Sequence, residues 1–502
     1  MLRSVHVVRS AFILLALAAG AQGDLIGVRA VAPLSSGSSS YWAMNQTGFV
    51  ATPSAPVVTS FIRTEIGSGA QLTLAQNGDA VAGMPSPRRL SWVDNLWLDD
   101  SGSLVAQARD DANTAYIVTG RRPNLTSRVR TGDAVPDGGG RVYDISTATR
   151  LTANRSGQFF FNSRSGADYF SSYYDPAVGL RSLPMPGSAM PGLPGSTIDQ
   201  FQAGQLTNAG QLMVQGTTVG SSSTRIRGIW TGTPDNWSLR VRTGVPIAPG
   251  GPTLYDSYGG RMNESGALIT FGALDNPLRE EVVLWSSGAG QPTSVVFQQY
   301  TRGPGMAVGE QFADPHSGMF LDTHFNNAGS ISMGATIRTA SHVDEYGFWF
   351  GAASDPHLIF RTGAAAAGLP AGITVSVWNI LAMNNRDDVV LQAALTGPGV
   401  TQSNGYALLH WSPTAGLTSF IRQGDQVLAG GVMRTVNVFW PMSDEPGWPT
   451  DQRSIDDAGH FAFQVGFLDG TNYLMVANVP TPGAAGVLVG AAVFGLSRRR
   501  RG

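Results

Sequence analysis

The sequence predicts an all-β protein, a β-propeller of seven or eight four-stranded blades. Three observations lead there: a turn pattern that returns along the whole chain, a nearly constant distance between its copies, and no long amphipathic segment of helical period. The pattern is clearest in Phe325-Asn326-Asn327-Ala328-Gly329-Ser330-Ile331-Ser332-Met333. Asn or Asp at the first place and Gly at the fourth mark a type I β-turn, in which the Asx side chain bonds the backbone ahead. The apolar residues that follow at alternate positions have the period of a half-buried strand.

The turn recurs from Asn45 to Gly48, Asp99 to Gly102, Asn154 to Gly157, Thr207 to Gly210, Asn263 to Gly266, Asn326 to Gly329, Asn384 to Asp387 and Asp456 to Gly459. Thr207 replaces the Asx residue in one copy and Asp387 replaces the glycine in another. Two places after each fourth position stands an apolar residue: Val50, Leu104, Phe159, Leu212, Leu268, Ile331, Val389 or Phe461. Successive fourth positions lie 54, 55, 53, 56, 63, 58 and 72 residues apart. A unit of that length holds about four strands with their turns, and it is close to the kelch repeat of about 50 residues. One such sheet cannot bury both faces alone, so neighbours must stack around a ring. Parallel β-helices use much shorter repeats, and tandem sandwiches need about 100 residues each. Two smaller propellers, or an array of eight units that does not close, remain as alternatives.

A second mark, apolar-Arg-Thr/Gln-Gly before a Pro/Gly-rich loop, stands at Val129-Arg130-Thr131-Gly132, Val241-Arg242-Thr243-Gly244, Phe360-Arg361-Thr362-Gly363 and Ile421-Arg422-Gln423-Gly424. Weaker copies begin at Val28-Arg29, Ile62-Arg63, Leu180-Arg181 and Thr301-Arg302. Paired with the turns, these marks tile the chain from Val28 to Val479.

Composition agrees with this reading. Sixty-three Gly and 29 Pro punctuate the chain, and 42% hydrophobic with 14% charged residues is the make-up of a globular protein. Every basic residue outside the seven His is Arg, and Cys is absent. Those absences exclude a Walker A or Schiff-base lysine, thiol catalysis, Cys-ligated zinc, c-type haem attachment and disulfides. A net charge of −2 gives no basic face for nucleic acid.

The two ends read as address labels, which divides the chain into residues 1–23, 24–478 and 479–502. Arg3 and Arg9, the apolar run Ala11 to Ala19 and the small-x-small site Ala21-Gln22-Gly23 have the form of a secretory signal peptide. At the other end Val479-Pro480-Thr481-Pro482-Gly483 precedes an apolar run, Ala484 to Leu496, expected as a hydrophobic helix, and then Ser497-Arg498-Arg499-Arg500-Arg501. The run is short for a membrane span of about 20 residues, and the arginines would stay on the cytoplasmic side. Together the Pro-rich signature, apolar run and basic tail resemble the PEP-CTERM sorting signal of Gram-negative-type bacteria, with Thr481 where that family has its name-giving Glu. The resemblance implies an exosortase-type sorting enzyme as partner, cleavage near the signature, at least transient anchoring in the inner membrane, and delivery to the cell surface, outer membrane or extracellular matrix. The body is similar to tandem-repeat regions of exported bacterial proteins that carry Asn-x-x-Gly marks and end in such tails. A plain tail anchor is the other reading of the end.

Residues with the look of chemistry are few. Asp314-Pro315-His316 and Asp322-Thr323-His324 form the densest His/Asp cluster, and they equally suit a polar loop. Asp99-Asp100 and Asp456-Asp457 could suggest calcium, yet they occupy the turn place that Asn holds elsewhere. No metal or cofactor is expected. Arg130, Arg242, Arg361 and Arg422 could form a ring gripping anionic sugars or carboxylates, or each could serve its own blade through a neighbouring acid or carbonyl. Aromatic stretches Tyr169-Phe170-Ser171-Ser172-Tyr173-Tyr174 and Phe439-Trp440-Pro441, with Trp448, break the repeat and could stack on a sugar or a partner protein. The expectation is a non-enzymatic exported propeller that binds a surface glycan or matrix protein. The alternative is a secreted carbohydrate-active hydrolase or lyase built on propeller loops.

Overall fold

The computed structural model describes residues 27–34, 43–45, 49–53, 60–66, 68, 70–146, 151–219, 225–313, 323–441 and 454–478. The expected signal peptide and C-terminal segment lie outside them. Among the described residues no helix is long and apolar enough to cross a membrane.

The described residues form eight antiparallel sheets, each of four strands or of four with a short addition. The first sheet is Ala43–Met44, Phe49–Pro53, Ser60–Glu65 and Gln71–Gln76. The next six begin at Leu90–Leu98, Leu151–Ala153, Thr197–Leu206, Leu254–Met262, Gln311–Phe312 with Thr323–Phe325, and Thr374–Met383. In sheets one to five and seven the strands pair in chain order. The eighth begins at Val432–Pro441, continues through His460–Phe467 and Asn472–Asn478, and takes its last strand from the other end of the chain, Gly27–Leu34. Gly27 pairs with Asn478 and Leu34 with Asn472.

Apolar clusters fill every junction between successive sheets, as a ring of stacked blades requires. Phe61 and Leu74 of the first sheet pack with Leu104 and Val118 of the second. Val105 and Ile117 meet Phe159 and Phe161, Phe160 and Tyr173 meet Phe201 and Trp230, and Met213 and Ile229 meet Met262 and Leu268. Ile269 and Phe297 then meet Ile331 and Trp349, and Phe348 and Phe350 meet Val389 and Trp411. One large cluster joins Val390 and Leu408 of the seventh sheet, Phe461 and Val476 of the eighth, and Met44 and Val50 of the first, which closes the circle. The chain is therefore a β-propeller.

Each of the seven fully described turns joins the first strand of its sheet to the second. In the seven whose residues are fully described, the first residue's side-chain oxygen accepts the amide of the fifth, at 2.8–3.0 Å. The first residue's amide in turn donates to the fifth carbonyl, as in Asn154 to Gln158 and Asn326 to Ser330. This is a type I turn followed by one left-handed residue, the three-residue hairpin with a G1 bulge. It explains the fourth place: the six glycines there have φ between 71° and 87°, and Asp387 takes φ 67° as an Asx residue can.

The second mark is a crossover. Gly132, Gly244, Gly363 and Gly424 each donate their amide to the carbonyl of a buried residue ahead: Tyr143 in the connection before the third sheet, and Leu254, Val375 and Val436 in the first strands of theirs. That residue's amide bonds back, to Asp133, Val245, Ala364 and Asp425. The same double bond joins Gly78 to Leu90, Gly187 to Ile198 and Tyr300 to Phe312, with the return bonds ending on Asp79, Ser188 and Thr301. The weaker Arg marks are thus not its equivalents. Arg63 lies on a third strand, Arg181 and Arg302 flank the true crossovers, and Arg29 lies on the closing strand away from the corresponding place. The crossover needs a left-handed residue, φ 94° at Gly132 and 58° at Tyr300, and it does not need arginine. The aromatic stretch from Tyr169 to Tyr174 is likewise no loop. It is the third strand Asp168–Asp175, with Phe170 and Tyr173 buried in two different junctions.

Glutamines stitch the junctions. Gln205 accepts the amide of Met262 and donates to its carbonyl, both at 2.6 Å, while Gln107 donates to Ile145 and Gln215 to Ser257. Gln205→Leu leaves a buried backbone donor and acceptor unpaired, so it is expected to cost about 3 kcal/mol, measured by urea unfolding.

Candidate functional site

Since the first strand stands at one edge of its sheet and its turn bonds to the next sheet's turn, the seven fully described turns and Asn45 crowd around the axis. Five asparagines make the link directly. The side-chain amides of Asn45, Asn154, Asn263, Asn326 and Asn384 donate to the carbonyls of Asp99, Thr207, Asn326, Asn384 and Asp456, at 2.8–3.2 Å. An Asn here uses both ends at once: its oxygen shapes its own turn and its nitrogen holds the next.

The second turn residues form a parallel belt. The amide of Asp100 donates to the Arg155 carbonyl. The amides of Arg155, Asn208, Glu264, Asn327 and Asn385 donate to the side chains of Asn208, Glu264, Asn327, Asn385 and Asp457. The Glu264 carboxylate also takes the side-chain amide of Asn208 at 2.7 Å and the backbone of Ala209 at 3.3 Å. Arg155, on the third sheet, comes to 4.0 Å from Asp457 on the eighth, so the mouth is narrow enough for one side chain to reach across. Burial raises the Asp100 carboxyl; Arg155 opposes the shift and Asp99 adds to it.

Behind the seventh turn lies a sealed polar cluster. Asp388 accepts from Asn384 at 2.9 Å and Arg386 at 3.1 Å and meets His410 Nε2 at 3.1 Å. Burial pushes the Asp388 carboxyl up, but the hydrogen bonds from His410 and Asn384 and the charge of Arg386 hold it below the usual range. The side chains of Asp388 and His410 are each 1% exposed, so both are shut off from solvent.

The other sequence-predicted residues are dispersed. Arg130, Arg242, Arg361 and Arg422 occur on the fourth strands of four different sheets, outside rather than at the axis. Arg130 pairs with Asp133, and Arg422 donates to the Asn404 carbonyl. Arg361 grips Glu310 through two bonds of 2.7 and 2.6 Å. Those bonds hold the Glu310 carboxyl down at about 2. A depressed acid contributes stability above its unfolded value and loses it as pH falls through the folded one. Glu310→Gln is therefore expected to cost about 2 kcal/mol at neutral pH. The difference from the parent should vanish as pH falls from 4.5 through about 2, checked by unfolding at a series of pH values.

Asp314, His316 and Asp322 lie outside the described residues, as do Gly48, Trp448 and residues 479–502; His324 is buried on the strand Thr323–Phe325. Asp99 and Asp456 cap their own turns, and Asp456 also meets His460 Nδ1 at 2.8 Å. Among the described residues no group of three or more acids and histidines is placed to hold a metal ion. The sequence showed the turns but not the belt, because the forward bond from Asn spans 53 to 72 residues.

Among solved structures, the chain is similar to the WD40 domain of SCAP from fission yeast, at 10% identity over 91% of this chain and 99% of that one, with a TM-score of 0.40. The propeller domain of the Trilobed protease from Pyrococcus furiosus matches at 7% identity, 77% and 99% coverage and a TM-score of 0.37. A polysaccharide lyase, an ulvan lyase of family PL25, matches at 9%, 80% and 94%, with 0.33. No curated protein matches the sequence. A family model does match, over residues 43–486, nearly the whole ring. The chain belongs to the Family of unknown function DUF7453.

Proposed function

We propose that this chain is an exported, non-enzymatic binding or structural propeller of the cell surface or extracellular matrix, sorted through its C-terminal segment by an exosortase-type enzyme. The observation that carries the reading is the belt: Glu264 and Asp457, acids at the axial mouth, are spent on the amides of Asn208 and Asn385. Carboxylates fixed in that way hold the ring together and are poorly placed to move protons. The described chain ends add an orientation. Gly27 and Asn478 pair beside His460, directly after the eighth turn, so both leave from the turn-bearing side. A tail held at a membrane then turns the crossovers and second-to-third connections outward, toward a glycan or matrix partner.

The test has two arms. Fractionation of the expressing cell should place the protein in envelope or matrix fractions; confinement to the cytoplasm ends the reading. A glycan array probed with the full chain should show retention without new reducing ends or unsaturated products. Bond cleavage would transfer the assignment to a carbohydrate-active hydrolase or lyase.

A further inference from the structure

The first strand of the fifth sheet, Leu254–Met262, differs from its counterparts in what it does with its bulges. Each bulge sets one extra residue outside the pairing. The first extra residue is Ser91 in the second sheet, Asp199 in the fourth and Ser376 in the seventh, all small or polar; in the fifth it is Tyr255. The second is Gly204 in the fourth sheet and Leu381 in the seventh, five residues further on. In the fifth sheet it comes after only three and is Tyr258. Both tyrosines are 50% exposed, so neither serves a junction.

The surroundings hold these rings in place. The Arg279 guanidinium carbon lies 3.4 Å from the centroid of the Tyr255 ring, and Arg279 is itself fixed by Asp275 at 2.5 Å. Arg279 has φ 52° as the left-handed fourth residue of the turn that begins at Asn276, which fixes where its side chain starts. Between the two tyrosines in sequence, Asp256 accepts Arg227 on both carboxylate oxygens, at 2.9 and 2.8 Å, and the Ser257 amide at 2.7 Å. After Tyr258 comes Gly259, where an added Cβ would meet nothing within 4 Å, so the space beside the ring is open. Burial, with Glu281 and Asp256 nearby, raises the Tyr258 phenol, which stays a neutral hydrogen-bonding group.

We propose that Tyr255 and Tyr258 form a stacking platform for a neutral pyranose of an oligosaccharide, with Arg279 bracing the first ring from behind. Aromatic faces pack the C–H side of a sugar ring, and a rigid ring loses little entropy on binding. Neutral sugars are favoured over anionic ones because Asp275 and Asp256 already pair with Arg279 and Arg227, and Glu281 adds negative charge beside Tyr258. This site rests on the binding reading given above and specifies its ligand and place.

The experiment titrates the full chain with cellohexaose, mannohexaose and, as the anionic probe, a heparin hexasaccharide, by calorimetry. The expected result is binding of a neutral hexasaccharide, weakened at least tenfold in Tyr255→Ala/Tyr258→Ala and kept within threefold in Tyr255→Phe/Tyr258→Phe. Unchanged affinity in the double alanine variant overturns the platform while leaving the binding reading in force. Preference for heparin overturns the ligand class, and failure of all three probes overturns the site. The binding reading itself stands or falls on the fractionation and array above.

Discussion

Asn384→Asp is expected to destabilise the ring by about 4 kcal/mol, the scale of an uncompensated buried charge. The change is isosteric, but it replaces a donor that serves the Asp456 carbonyl at 3.1 Å and the Asp388 carboxylate at 2.9 Å. A carboxylate there would face two acceptors in a fully buried position. Its own turn would survive, because Asp caps the fifth amide as well as Asn does, and Asp456 does so naturally. Thermal and urea unfolding of Asn384→Asp beside Asn384→Ala separates the two roles. The alanine variant loses both the cap and the forward bond, and it should still be the milder change. An aspartate variant within 0.5 kcal/mol of the parent would falsify the claim that the belt holds the sheets together.

Trp349→Ala should cost about the same, 3–5 kcal/mol, through a large cavity and an orphaned carbonyl. The indole is fully buried, packs edge-on to Phe297 and tilted to Phe312, and donates to the Pro304 carbonyl at 3.0 Å. Trp230 does the same in the fourth sheet, donating to Pro191 at 2.9 Å. In both sheets the indole fixes the crossover that enters its own blade, and a nearby glycine makes room. A Cβ at Gly347 would lie 2.5 Å from the Trp349 ring, and one at Gly228 would lie 2.9 Å from that of Trp230. Equilibrium unfolding measures the loss. Trp349→Phe, which keeps most of the volume, should recover more than half of it. Equal losses in both variants would mean that the hydrogen bond, not the packing, dominates.

What could be read from the sequence and what could not divides along distance. The seven fully described turns and the strands that follow them are legible because a G1-bulge hairpin is specified within five residues. The all-β class and a ring of seven or eight sheets followed from their spacing; which of the two numbers holds did not, and the described residues form eight. The partner of the Asn side-chain nitrogen was not legible, since it belongs to a turn one repeat away. The second mark was half legible. Its glycine carries the signal and its arginine does not, because the crossover needs a left-handed backbone, as Tyr300 and Gly187 show by doing without arginine beside them in the motif. Tyr255 and Tyr258 passed unnoticed because strand bulges leave no local signature, and only alignment of the first strands by their hydrogen bonds makes two tyrosines look out of place.

Pairing of Gly27–Leu34 with Asn472–Asn478 also sets the order of assembly. A polypeptide emerging from its N-terminus delivers the fourth strand of the last sheet before any other described strand, and that segment must wait until almost all of the strands have followed. Contacts of such long sequence separation form late and slowly. Until then the edge of Asn472–Asn478 has no neighbour and offers its backbone to any passing strand, which is the situation that invites swapping between molecules.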